Sequence, residues 1–354
     1  MAWNFFNPVK IRFGCGCAAD TAEFLHELGA KRAALVASPS ALRCGHADVV
    51  SACAPGLFVT DEIFSRIQPN PTVQNMLDCA AFLARVRADA VVALGGGSVL
   101  DCVKAAAGGL PVIALPTTAG TGSEVTCISV LTDGEGRKIP RTDPAYYPKA
   151  ALVDPALTLT VPPGVTAATG MDALSHAIES LWSIHHSPAS DALALRAVPL
   201  ILRNLELAHA SPGDLSARTA LSEGSLLAAL AFSQAKTAAA HACSFSLTMR
   251  YGLPHGTACA FTLPVLCRIN ASAEEGRLHD IAHTLGFADA FALASELDRL
   301  NAALGLPRTL REAGIPRVDL PALAQECMQP PNMRNNPVEL DAAAVETMFL
   351  MLNG

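Results

Sequence analysis

Four residues carry the chemistry most directly legible in this chain. Asp172 and His176 stand four apart in Gly170-Met171-Asp172-Ala173-Leu174-Ser175-His176. On a helix that spacing puts both side chains on one face. Alone, such a pair reads as an ordinary surface ion pair. Two further histidines change the reading. His241 lies in the apolar, charge-free run TAAAHACSFSL, and His255 in Leu253-Pro254-His255-Gly256. Either could be a buried neutral ring satisfied by backbone. One carboxylate and three imidazoles together make a hard-to-borderline divalent site, suited to Fe(II), Zn(II), Ni(II) or Mn(II), with a position open for substrate. His185 and His186 adjoin Ser187-Pro188 and read as surface residues at a helix end.

A second chemical signal is Ala93-Leu94-Gly95-Gly96-Gly97-Ser98-Val99-Leu100-Asp101, which follows an apolar run and opens a helical one. Glycines let the backbone approach an anion closely, and the N–H groups of a helix N-terminus suit a phosphate. The run is neither GxGxxG nor a Walker loop. Three consecutive glycines are more than a tight strand-to-helix turn requires, and this edge of an open α/β sheet is where ligands bind, so pyrophosphate is expected there. The polar loop Pro116-Thr117-Thr118-Ala119-Gly120-Thr121-Gly122-Ser123-Glu124-Val125-Thr126 follows the next apolar run. It would line the same crevice and bond a cofactor's phosphates or ribose.

These motifs need elements to hold them. Ala33 to Ala37, Ala90 to Leu94 and Pro111 to Leu115 are compact apolar runs bounded by Gly or Pro, as parallel strands covered on both faces should be. Helical segments are predicted between them at Thr21 to Leu28, Val73 to Val86 and Ser98 to Ala107. The alternation implies a doubly wound, mostly parallel sheet. After Asp154-Pro155 the segment LTLTVPPGVTAATG reads as a Pro/Gly-punctuated junction. Helices are predicted over 171–185, 188–208, 214–234 and 236–250, with more to the end. The expected division is an α/β dinucleotide-binding domain over 1–158 and an all-helical metal and substrate domain over 159–354.

Composition agrees with an enzyme. The 354 residues are 51% hydrophobic and 16% charged, enough for a sizeable core. A net charge of −7 without a Lys/Arg run excludes a nucleic-acid backbone as partner. No segment reads as a signal peptide or a membrane helix, so a cytoplasmic enzyme is expected. Eleven cysteines, with no CxxC pair, read as reduced and mostly buried thiols. They drop out of the expected metal inventory.

With these residues in hand, the chain resembles the iron-containing (group III) alcohol dehydrogenases, which share the fold of dehydroquinate synthase and glycerol dehydrogenase. The resemblance covers nearly the whole chain. It rests on Phe13-Gly14, Pro69-Asn70-Pro71-Thr72, the GGGS loop with Asp101 and Lys104, TTAGTGSEVT, Val153-Asp154-Pro155, GMDALSHAIE, the His241/His255 pair and Asn336-Pro337. It implies that Asp172, His176, His241 and His255 hold one divalent metal, usually iron or zinc. It implies that NAD(P)H binds with Gly96, Gly97, Ser98 and Asp101 at the pyrophosphate, and with Thr117, Thr118, Thr121, Thr126 and Lys138 at the phosphates and nicotinamide ribose. Asn70 would line the same cleft, and the site would lie where the two domains meet. The implied reaction interconverts a small aldehyde and its alcohol by hydride transfer, in a homodimer.

Two residues depart from the family pattern. Ser38 in Ala37-Ser38-Pro39 stands where many members carry an aspartate that bonds the adenosine ribose and repels a 2′-phosphate, so NADPH should be accepted. Phe245 stands where diol-oxidising members carry a histidine often given a proton-relay role. No proton relay or other catalytic side chain is identified. The run from Lys236 to Phe245 and the opening Trp3 to Lys10 look like a subgroup that includes phosphonoacetaldehyde reductases. Lys236, Arg250 and Lys138 are the cations considered for such a phosphonate. The competing functions are a cyclase on the same scaffold, as in dehydroquinate synthase, a glycerol dehydrogenase-like enzyme and a non-catalytic metal-binding relative. The chain lacks the dense Lys/Arg/Asn set a phosphorylated polyol would need.

Overall fold

The computed structural model describes Trp3–Asn353. The chain divides into two compact units. Among the described residues, one comprises Asn7–Val161 with Gly213–Ser222, the other 3–6, Pro162–Pro212 and 223–353. The main division thus falls at Val161/Pro162 rather than at 158, and residues 213–222 group with the first unit.

The first unit is built on a five-stranded, wholly parallel sheet in the order β1-β7-β4-β3-β2. Its strands are β1 (Lys10–Phe13), β2 (Ala33–Ala37), β3 (Ala90–Gly95), β4 (Val112–Pro116) and β7 (Ala150–Val153). Every residue of β2, β3, β4 and β7 is buried, which is why these strands read as unbroken apolar runs. Helices α1 (Thr21–Glu27), α2 (Pro39–Arg43), α3 (His46–Cys53), α4 (Val73–Arg85) and α5 (Gly97–Ala106) accompany the sheet. Leu35, Leu94, Ile113 and Leu115 contribute to one of its apolar clusters, and Val36, Val91, Val99 and Val103 to another. The fold class is the expected one. Strands β1 and β7 escaped sequence reading because four residues carry too little periodicity. So did an antiparallel hairpin of β5 (Ile128–Thr132) and β6 (Lys138–Thr142).

The second unit is helical: α6 (Pro163–Trp182), α7 (Pro188–Ala210), α8 (Leu215–Ala235, whose first turns belong to the sheet unit), α9 (Ala239–Tyr251), α10 (His255–Asn270), α11 (Arg277–Thr284), α12 (Ala290–Ala303), α13 (Leu320–Cys327) and α14 (Ala342–Met351). Helix α6 starts at Pro163, not at 171. Pro163 fits the first helical position, where a missing N–H costs nothing. The glycines beyond it do not break the helix. Gly170 is where Leu205 of α7 packs, since a Cβ there would lie 2.3 Å from Leu205 Cδ1. The break between α8 and α9 falls at Lys236, whose φ of 67° lies in the left-handed region. At its far end α10 is tied to the C-terminal segment by two buried amides. Asn270 Nδ2 donates to Asn336 Oδ1 at 3.0 Å, and Asn336 Nδ2 donates back to Asn270 Oδ1 at 2.8 Å. Among the described residues no helix is long and apolar enough to cross a membrane.

Candidate metal centre and cofactor loops

In the sheet unit the glycine loop runs from the end of β3 into α5. Gly96 is the helix N-cap and brings no capping side chain. The loop is glycine because another loop lies against it. A Cβ on Gly96 would stand 3.1 Å from Thr118 Oγ1, and one on Gly97 2.6 Å from Thr121 Cγ2. A Cβ on Gly95 would be 3.3 Å from that of Ser38. The fold therefore brings Gly96, Gly97, Ser98, Thr118, Thr121 and Ser38 to one edge, at the C-terminal ends of β2, β3 and β4. Thr117 joins them, its N–H donating to Gly95 O at 3.1 Å. Ser38 caps α2, accepting from the Ala41 N–H at 3.1 Å, with Ser40 Oγ 2.9 Å away. On the hairpin, Lys138 pairs in register with Thr132, whose N–H donates to Pro71 O at 2.8 Å. That contact sets Asn70, with φ 54°, beside the same hairpin.

Two expected cofactor residues also hold loops together. Asp101 accepts from Ser123 Oγ at 2.5 Å and from the Val130 N–H at 2.9 Å. Its carboxylate pins the threonine loop and the hairpin to α5. Thr126 is buried with Oγ1 3.5 Å from Lys104 Nζ. The Lys104 ammonium, itself buried, donates to Ser123 O at 2.9 Å, Thr126 O at 3.3 Å and Ile128 O, with Asp101 at 3.4 Å. One cation thus gathers the carbonyls of Ser123, Thr126 and Ile128, tying the end of the threonine loop to the start of β5. Burial pushes the Lys104 pKa down, opposed by Asp101 and Glu124. Glu124 is buried in the same turn, and burial pushes its carboxyl up to about 7.

In the helical unit, α6, α9 and α10 each send side chains to one point. Asp172 and His176 come from α6, His241 from α9, and His255 from the first residue of α10. Asp172 Oδ1 lies 3.5 Å from His241 Nε2 and 3.7 Å from His255 Nε2. Two ligands sharing a tetrahedral metal at about 2.1 Å stand about 3.4 Å apart. Gly256 allows this approach: a Cβ on it would fall 1.9 Å from Ala168 O and 2.8 Å from Asp172 Cβ. Only glycine lets α10 begin against α6.

The second ring nitrogens fix the tautomers. His241 Nδ1 donates to Glu179 Oε2 at 2.5 Å, and Glu179 Oε1 accepts from the Ala240 N–H at 2.7 Å. Ser244 Oγ spends its single proton on His241 O at 2.7 Å, so at 3.1 Å it accepts from His255 Nδ1. Both Nε2 atoms therefore present lone pairs toward a carboxylate oxygen. Asp172 Oδ1 and His241 Nε2 are buried without any hydrogen-bond partner. Burial works against the charge on Asp172, yet His176, His255 and His241 hold its carboxyl well below the usual range. Buried polar atoms left without a partner are costly unless a positive charge, a proton or a metal ion, sits between them. The donor set fits a divalent metal.

His176 lies one turn along from Asp172, its ring stacked on Phe232 at 4.1 Å and on His241 at 4.4 Å. The donor atoms that close to within 4.8 Å of one another are those of Asp172, His241, His255 and Cys259. Cys259 thus stands beside the expected ligands, although the cysteines were not expected there. Cys259 follows His255 by one helical turn, and that spacing was the available signal. Glu179 was legible only as part of the GMDALSHAIE run. Phe245 stacks 6.0 Å from His255, so a ring stands by the site where no proton relay was found. Arg250 is paired with Asp319 and Glu326, at 3.4 and 3.0 Å, which removes it as an anion partner. Lys236 Nζ donates to Ser233 O at 3.1 Å.

Residues 8–155 match the pattern described as iron-containing alcohol dehydrogenase, and residues 166–351 the C-terminal pattern of the Fe-containing alcohol dehydrogenase family. The chain belongs to the iron-containing alcohol dehydrogenase family. Long-chain-alcohol dehydrogenase 1 of Geobacillus thermodenitrificans is 34% identical, over 97% of this chain and 94% of its own length. The 1,3-propanediol dehydrogenase of Klebsiella pneumoniae is 33% identical, over 98% and 96%. The crystal structure of sulfoacetaldehyde reductase from Bifidobacterium kashiwanohense in complex with NAD+ superposes with a TM-score of 0.95 at 38% identity, covering 99% of both chains. This member of the iron-containing family is an oxidoreductase, and its cofactors are NAD(P)H and a divalent metal.

Proposed function

We propose that the enzyme reduces a small aldehyde to its primary alcohol with NAD(P)H, and that the aldehyde is a two-carbon one carrying a strong anion, phosphonoacetaldehyde first. The observation that carries the reductase reading is the buried convergence of Asp172, His241 and His255 lone pairs. Asp172, His176, His241 and His255 would hold the metal. When bound, it supplies a Lewis acid that stabilises negative charge developing on a carbonyl oxygen. Glu179 and Ser244 keep His241 and His255 in the tautomers that leave Nε2 as donor. In the sheet unit the Gly96-Gly97-Ser98 turn at the start of α5 would hold the pyrophosphate, with Thr117, Thr118 and Thr121 beside it and Asn70 and Lys138 on the neighbouring edge. Asp101, Lys104 and Thr126 keep that turn in shape. Phe245 cannot carry a proton, so the product alkoxide would take its proton from water or from another group.

The substrate's anion is supported by the likeness to a sulfoacetaldehyde reductase and by the run from Lys236 to Phe245. Acceptance of NADPH is supported by Ser38, which puts a hydroxyl where a carboxylate would repel a 2′-phosphate. A homodimer in a reducing cytoplasm goes with this reading, and all eleven thiols are free. The test is a panel of phosphonoacetaldehyde, sulfoacetaldehyde and unsubstituted aldehydes, each with NADH and NADPH. Net cofactor consumption, fastest with the anionic aldehydes, is expected. Absence of turnover with every aldehyde, in protein confirmed to contain metal, would overturn the reductase reading. His255→Ala should abolish metal loading; unchanged metal content would contradict the ligand assignment.

A further inference from the structure

We infer that Cys259 gives the metal a sulfur ligand, so that this site is an oxygen–nitrogen–sulfur site and not one of carboxylate and imidazole alone. The inference rests on the metal reading above and adds a donor to it. Cys259 lies on α10 one turn beyond His255, and its side chain is fully buried. Its Sγ belongs to the group whose donor atoms all lie within 4.8 Å of one another, with Asp172, His241 and His255. Asp172 Oδ1 and His241 Nε2 in that group are buried and have no hydrogen-bond partner. A cation drawn to those two atoms has the sulfur within reach.

The other thiol on the same helix that the structure partners is differently employed: Cys267 Sγ donates to Ala290 O at 3.4 Å. It serves as an internal control. On ligation the Cys259 S–H bond breaks, its proton leaves to solvent, and a sulfur–metal bond forms with no change of oxidation state. A thiolate favours the softer, later divalent ions over Mn(II).

The experiment loads the full-length protein with Co(II), which reports sulfur ligation as a sulfur-to-cobalt charge-transfer band in the near ultraviolet. Wild type should show the band, and the zinc-loaded protein should show a zinc–sulfur distance of about 2.3 Å by X-ray absorption. Cys259→Ser should lose the band and keep bound cobalt. Its preference for Co(II) over Mn(II) should fall by at least about tenfold, the lower end of what loss of an outer partner costs a metal site. Cys267→Ser should keep both band and preference. Wild type that binds cobalt without the band overturns the sulfur ligand and leaves the metal reading standing. Wild type that binds no divalent ion overturns both. The wild-type spectrum decides the point even if a variant fails to fold.

Discussion

The two units build their sites by opposite means. In the sheet unit the candidate cofactor edge is made largely of backbone, at the ends of β2, β3 and β4. Its side chains, Asp101 and Lys104 above all, face inward and hold loops. In the helical unit the candidate metal centre is made of side chains from three helices, and the backbone matters where Gly256 lets α10 approach α6. A backbone site tolerates changes that leave the turn intact. A side-chain site depends on where whole helices sit.

This contrast can be broken at its strongest point. Gly256→Ala puts a carbon into Ala168 O, so α10 must shift from α6. We expect a loss of about 3 kcal/mol or more of stability and loss of metal, read by denaturation and metal analysis. A variant that keeps its metal would mean the helices have slack the structure does not show.

On the sheet side the largest expected effect is a pH dependence. The Glu124 carboxyl stands at about 7 in the fold, against 4.5 as its ordinary value. The folded protein therefore holds that proton where the unfolded chain releases it. Its contribution is full below pH 4.5 and is lost as pH rises to about 7, a change on the order of 3 kcal/mol. Glu124→Gln should flatten that part of the stability curve. An unchanged slope would show that Glu124 is ionised in the fold.

Glu179→Gln sharpens the metal side. The amide can accept from Ala240 or His241 on one oxygen only, so His241 loses its firm orientation. Metal affinity should fall roughly 10- to 100-fold with the fold intact. The smallest effect is Ser38→Asp on the cofactor side. A carboxylate at the end of β2 should shift the kcat/KM ratio toward NADH by about tenfold, or about 1.4 kcal/mol. Strong preference for NADH in wild type would remove the basis for that expectation.

The same contrast explains what the sequence could tell. Strands β2, β3 and β4 and the two loops after them announce themselves, because local patterns suffice to place them. The start of α6 was misjudged because prolines and glycines usually punctuate, whereas here Pro163 opens a helix and Gly170 receives Leu205. Asp172 and His176 were visible as a pair four residues apart. Glu179 meets His241 across 62 residues of chain, a distance no local pattern spans. Cys259 looks like one thiol among eleven, and only the packing of α10 against α6 and α9 brings its sulfur beside Asp172, His241 and His255. Lys104 looks like any lysine in a helix until burial shows what its ammonium gathers.

The reciprocal amides of Asn270 and Asn336 bear on how this molecule ages. Asparagine side chains decay chiefly when the next residue's backbone nitrogen attacks their amide carbon. Asn336 is followed by Pro337, whose nitrogen carries no hydrogen and cannot close that ring. Asn270 lies buried at the end of α10, where the helical backbone is held away from the geometry of attack. The clasp that fastens the C-terminal segment to the helix of His255 is thus made from a residue type prone to chemical decay, placed where the usual route of decay is closed.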